Sequence, residues 1–193
     1  MAFRAPPAGA AWRHHHARSG FEVVYFRLEE RGWQIDGVTT AVEDGQSWAV
    51  TYDIRLDETW TTRTARINGR SAAGERRRVL ESDGEGHWLV DGDPAPHLDG
   101  CLDVDLESSA MTNALPVRRM GLSIGARASA PAAYVRAIDL SVERLEQRYA
   151  RTADEPSHQR YDYDAPAFDF GCRLVYDECG LPLDYPGIAT RAG

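Results

Sequence analysis

Asp103 and Asp105 stand two residues apart, and Arg118 and Arg119 follow them in the stretch GCLDVDLESSAMTNALPVRRM from Gly100 to Met120. Carboxylates beside guanidinium groups can divide acid and base work, hold a polar head group, or brace a fold as an ion-pair network. Leu102, Val104 and Leu106 alternate with Cys101, Asp103 and Asp105. A strand through this stretch would turn the apolar set to a core and both carboxylates to the other face, about 7 Å apart. Glycosidase carboxylates must flank the scissile bond, a placement that neighbours on one strand face rarely provide. The expected role is therefore an ion-pair network with Arg118, Arg119 or Arg63 that pins a loop to a strand. A hydrolase acting on a glycoconjugate through Asp103 or Asp105 is the alternative.

Other reactive side chains are poorly arranged for chemistry. Cys101 and several serines could be nucleophiles, but no G-x-S-x-G elbow is present, and His87 or His97 would serve as a base only if the fold brought one close. There is no Walker pattern and no strand–GxGxxG–helix unit, so no nucleotide or other cofactor is expected. His14-His15-His16 has no neighbouring acid or cysteine to complete a metal site and reads as a solvated tract. No residue is therefore assigned as catalytic or as a metal ligand. Trp48, Trp60 and Trp88 lie in strand-like segments, and Arg63 follows Trp60 by three residues. Indole rings with Arg and Asp could serve an amphipathic ligand, with apolar wall for acyl chains and polar groups for a head group.

The elements that must position these residues are mostly strands. Trp48, Val50, Tyr52, Ile54 and Leu56 alternate with polar or small residues, and Phe168, Phe170, Cys172, Leu174 and Tyr176 do the same. Asp44-Gly45, Asn68-Gly69, Asp83-Gly84, Asp91-Gly92 and Cys179-Gly180 read as hairpin turns between such runs. Strands are expected near residues 21–29, 33–43, 47–56, 60–67, 75–82, 86–91, 101–106, 118–127, 133–150, 158–164, 167–177 and 181–185. The 133–150 run fits a strand kinked near Glu143, although its spacing also suits a helix. Ser108 to Asn113 is the helical candidate, ended by Pro116. The expected fold is mainly β: a single curled, unclosed antiparallel β-roll or half-barrel with one or two short helices, spanning 12–193 after a flexible arm at 1–11. A curled sheet hides its edges and has a concave side that can hold a ligand.

Composition bounds the partners. A net charge of -8, from 30 acidic and 22 basic residues, disfavours nucleic acid and anionic membrane surface. The run Arg76-Arg77-Arg78 has no aromatic interleaving and reads as a solvated strand or loop. No run approaches the ~18 apolar residues of a membrane span, and the N-terminus lacks the apolar core of a secretory signal. Three cysteines without C-x-x-C spacing point to free thiols in a reducing cytoplasm.

The same central stretch resembles the bacterial putative glycolipid-binding family, first defined as a domain of unknown function. Its G-C-x-D-V-D-L falls on Gly100-Cys101 and Asp103 to Leu106, and its S-x-x-T-N-x-L-P-[IV]-R-R-[LM] on Ser109, Thr112-Asn113 and Leu115 to Met120. Upstream, Tyr52, Asp57, Trp60 and Arg63 fit Y-x₄-D-x₂-W-x₂-R, and Asp83-Gly84, Gly86 and Trp88 fit D-G-x-G-x-W. Downstream, Gln147 and Tyr149 fit Q-x-Y, and the closing D-x-x-G-L-x-x-D-Y-P-G falls on Asp177 to Gly187, with Arg191 beyond. Ala110 and Met111 stand where the family commonly continues with Pro after the serine, which leaves that turn open. The resemblance implies an unclosed β-roll shaped like the lipoprotein carriers, binding a lipid or glycolipid without chemistry. The residues expected near the cavity mouth, or bracing it, are Trp60, Arg63, Asp103, Asp105, Asn113, Arg118 and Arg119. A protein-interaction domain with no small ligand is the remaining reading.

Overall fold

The computed structural model describes residues 3–16, 18–155 and 158–192. Strands β1 (Gly9–His14), β2 (Arg18–Glu29), β3 (Gly32–Glu43), β4 (Gln46–Leu56), β5 (Thr62–Ser71) and β6 (Gly74–Ser82) form a meander, followed by short β7 (Trp88–Val90) and β8 (Asp93–Pro94). After β9 (Asp103–Leu106) come helix α1 (Ala114–Met120), then β10 (Arg127–Ser129), β11 (Ala132–Val135), β12 (Val142–Leu145) and β13 (Arg148–Arg151). The chain closes with β14 (Gln159–Ala165), β15 (Phe170–Tyr176), β16 (Pro182–Tyr185) and β17 (Ala189–Arg191).

Fourteen strands join in one antiparallel sheet, in the order β10-β13-β14-β15-β16-β17-β1-β2-β3-β4-β5-β6-β7-β8. Its ends do not meet, so the sheet is mainly β and curled but not closed into a barrel. The remaining three form a small sheet, β12-β11-β9, in which β11 and β9 run parallel. That parallel pair departs from the all-antiparallel expectation, and it is possible because a long connection separates the two strands.

Period-two runs became strands because one face of each meets the core. In β4 every second residue from Trp48 to Leu56 is buried. Asp44-Gly45 and Asp91-Gly92 both take positive φ at each residue, as tight hairpins require. Asn68-Gly69 is not a turn: β5 continues to Ser71, and the absent side chain of Gly69 makes room for Leu140, which an added Cβ would meet at 3.2 Å.

Three other segments differ from the sequence reading. Residues 118–127 were expected to be a strand, but a 3₁₀ turn at Met111–Asn113 runs straight into α1. Pro116 sits in the first helical turn, where its missing N–H costs no bond, so it permits the helix and does not end it. Gly121, at φ 51, ends it instead. The expected strand 133–150 is three strands, broken by the turn from Arg136 to Ser141. Residues 9–11 of the expected arm belong to β1, which pairs with both β2 and β17. His14 of the expected solvated tract is buried on this strand, and the His15 ring lies 2.7 Å from Thr190 Oγ1.

The concave side of the sheet is filled by the chain itself. From Cys101 to Val117 nearly every residue is buried, and β9 is buried on both faces. The segment is tied to strands all round the sheet. Trp88 donates its indole N–H to Cys101 O (2.8 Å), Thr62 donates its N–H to Leu102 O (3.0 Å), and Tyr176 donates its hydroxyl to Asn113 O (3.2 Å). Residues 101–117 are therefore an internal plug.

Glu22 on β2 holds that plug. Its carboxylate accepts bonds from the Ser109 hydroxyl, the Tyr52 hydroxyl (2.6 Å), and the backbone N–H groups of Ala110 (2.8 Å) and Met111 (3.3 Å). Burial raises its pKa, against the pull of those four donors. Tyr52 lies on β4, and the strand between, β3, carries Gly37 opposite it. The Tyr52 ring crosses the bare Gly37 backbone to reach Glu22; a Cβ there would sit 2.0 Å from the ring. Gly37→Ala is expected to lower stability by roughly 2–3 kcal/mol, the cost of overpacking a filled core, read from the urea midpoint. An unchanged midpoint would mean that the ring can move aside.

Candidate functional site

A cavity of about 340 Å³ remains between the plug, the small sheet, strands β14–β16 and the adjoining ends of β2 and β3. Its wall is aromatic, with Tyr134, Tyr163, Phe168, Phe170 and Tyr185 among the lining residues. Tyr163, Phe170 and Tyr185 pack on one another at 6.0–6.3 Å between ring centroids. The polar lining comes from Asp105, Glu107, Ser109 and Asn113 of the plug, with Arg18, Glu43 and Arg136 completing the charged groups. A larger hollow of about 570 Å³ lies on the outer face of β2–β5 and includes no plug residue.

Asp105 is a buried carboxyl group of this cavity with a shifted pKa. Its Oδ1 accepts from the Thr112 hydroxyl (2.9 Å) and its Oδ2 from Gln147 Nε2 (2.5 Å), which also donates to the Tyr163 hydroxyl (3.0 Å). Burial pushes its pKa up to about 6, although both hydrogen bonds pull the other way. Asn113 is 3% exposed; its Oδ1 accepts from the Tyr149 hydroxyl (3.0 Å), and its Nδ2 makes no hydrogen bond among the described residues. Gln147 and Thr112 were noted for the family pattern alone, and Glu107 and Tyr134 were missed.

The other expected residues divide into two groups. Asp103 is 1% exposed and forms a two-pronged pair with Arg119, at 3.0 Å to Nε and 2.5 Å to NH2. The guanidinium of Arg118 stacks 3.7 Å above the Trp60 ring and donates to the carbonyls of Arg4 (3.0 Å) and Cys179. Burial lowers the Arg118 pKa to about 10. Trp60 holds φ 70, unusual for a bulky residue, and also packs on Trp33 at 5.7 Å. Arg63 faces Asp57 at 3.9 Å on the half-exposed surface. Asp105 and Asn113 therefore line the cavity, whereas Asp103, Arg119, Trp60, Arg118 and Arg63 do not.

Two buried groups should give opposite pH signatures. Asp105 binds its proton more tightly in the fold than in the unfolded chain, so its contribution is full below about pH 4 and is lost as pH rises through about 6. His14 is the reverse: burial, aided by Arg18, lowers it to about 4, so its contribution is present above its usual 6.5 and lost as pH falls towards 4. Between about pH 7 and 5 the His14 effect costs about 2 kcal/mol and the Asp105 effect returns about 1 kcal/mol. His14→Phe should flatten the acid loss, and Asp105→Asn should steepen it, in urea titrations at each pH. Parallel curves for wild type and both variants would refute the assignment.

The family model described as "Putative glycolipid-binding" matches residues 9–191. The chain belongs to that family. Among solved structures it resembles a DUF1089 family protein from Pseudomonas aeruginosa, with 34% identity and a TM-score of 0.76 over 94% of this chain and 95% of that one. It also resembles a beta-barrel-like protein of domain of unknown function DUF1849 from Brucella abortus, with 12% identity and a TM-score of 0.53 over 98% and 96% of the chains. The second likeness concerns the fold alone. No curated protein matches the chain. No helix among the described residues is long and apolar enough to cross a membrane.

Proposed function

We propose that this family member is a cytoplasmic binding protein that holds an amphipathic ligand, a lipid or glycolipid, without altering it. The observation that carries this reading is the cavity itself, an aromatic wall over a floor of buried hydrogen-bonding groups. Its description as a glycolipid-binding family supports the ligand class.

The plug changes where such a ligand would sit. The concave face as a whole is occupied by residues 101–117, so acyl chains do not lie along it in this state. At about 340 Å³ the cavity is at the lower end of small-molecule sites and suits a head group or a short length of chain. The roles of the polar groups favour binding over hydrolysis. Asp103 is committed to Arg119 and Glu43 to Arg18, and the other two carboxylates of the cavity, Asp105 and Glu107, stand two residues apart on one segment, a poor placement for flanking a scissile bond.

Native mass spectrometry of protein purified from a lipid-containing host, followed by solvent extraction, tests the reading. A co-purifying amphiphile is the expected result. Repeated recovery of the bare chain mass, together with no uptake of a fluorescent acyl probe, would rule it out.

A further inference from the structure

We propose that the cavity selects an uncharged, hydroxyl-bearing head group and turns away anionic ones; this rests on the binding reading above. A free guanidinium at either arginine of the lining, Arg18 or Arg136, would favour phosphate, sulfate or carboxylate. Neither is free. Arg18 donates through Nε and NH2 to the two oxygens of Glu43, each at 3.2 Å, and through NH1 to Glu107 O (2.5 Å). Arg136 donates through Nε to Glu143 at 2.7 Å, and its NH1 lies 3.6 Å from Glu107. An anionic head group would have to share Arg136 with Glu143 and Glu107 and sit beside the carboxylates of Asp105 and Glu107.

The groups that remain available suit neutral hydroxyls. The Asn113 side-chain amide has its oxygen engaged by Tyr149, which leaves its Nδ2 hydrogens as donors in a residue that is 97% buried and lines the cavity. Asp105 has one internal donor on each carboxylate oxygen, so each oxygen keeps acceptor capacity. A donor and an acceptor lining one cavity match hydroxyls, each of which both gives and takes a hydrogen bond. The Asn113 amide hydrogens also oppose a cation, which the aromatic wall and Asp105 alone would welcome. The rings of Tyr134, Phe170 and Tyr185 offer apolar surface to the C–H faces of a sugar-like ring.

The test uses octyl glucoside, octyl sulfate and octyltrimethylammonium, which share one tail, each titrated calorimetrically below its micelle concentration into the intact protein. Octyl glucoside should bind at least about tenfold more tightly than either charged amphiphile. Asn113→Asp, which keeps the acceptor for Tyr149 and removes the donor, should lose about tenfold for octyl glucoside. Should that variant fold poorly, Phe168→Ala at the exposed rim should weaken all three amphiphiles together, as loss of shared apolar wall predicts. Equal or tighter binding of octyl sulfate or octyltrimethylammonium would overturn the head-group assignment while leaving the binding function standing. Binding of none of the three would overturn both.

Discussion

Glu22→Leu should destabilise the protein by more than about 4 kcal/mol and leave little folded material near body temperature. The carboxylate meets the hydroxyls of Ser109 and Tyr52 and the backbone N–H groups of Ala110 and Met111, all buried. Leucine would strand those four donors, and each unsatisfied buried donor costs about 1–3 kcal/mol. Glu22→Gln should be far milder, about 1 kcal/mol. Its amide oxygen can still accept from the two N–H groups, and both hydroxyls can rotate to accept from its amide nitrogen. Urea denaturation of the two variants side by side separates the cases. Equal losses for Leu and Gln would mean that a negative charge, and not acceptor capacity, is what the plug requires.

Asp103→Leu should cost roughly 3–5 kcal/mol, because it leaves the Arg119 guanidinium without its counter-charge against an apolar side chain. Arg119→Met alone should cost a similar amount by leaving Asp103 ionised and enclosed. The double replacement Asp103→Leu with Arg119→Met should recover most of the loss, since apolar residues of similar volume can replace a buried pair at little net cost. The measured quantity is the coupling energy of the cycle. Simple additivity of the two single losses would show that the pair does not act as a unit. The pair also ties the last turn of α1 to β9. Arg118 and Arg119 occupy its last turn, where positive charge suits the helix dipole, and they fasten the helix in opposite directions, to Trp60 and to β9.

The expectation of an ion-pair brace at Asp103 and Asp105 was half legible. Strand alternation placed both carboxylates together, and the double Arg supplied a partner within reach along the chain. Which Asp takes the Arg could not be read there. Asp105 instead meets Thr112 and Gln147, because the 3₁₀ turn folds Thr112 back onto β9 and the short link between β12 and β13 carries Gln147 to its side. Glu22 was hidden for a different reason. The run Phe21-Glu22-Val23-Val24-Tyr25-Phe26 is apolar at both parities, so a lone acid in it would ordinarily be assigned to solvent. The structure does the reverse. Glu22, Val24 and Phe26 face inward, and Phe21 and Tyr25 stand 45% and 60% exposed.

The sequence alone determined the β class, most of the hairpins and the importance of residues 100–120, because alternation and turn chemistry are local and survive without knowledge of the fold. It also pointed to Asp105 and Asn113. Only the tertiary structure decided that this stretch is an internal plug, that β9 pairs in parallel with β11, and that the space left beside the plug is a small cavity. Those outcomes depend on pairing between residues far apart in the chain. A segment buried on both faces by a curled sheet has no outer face left to display the polar pattern that reveals a position in sequence.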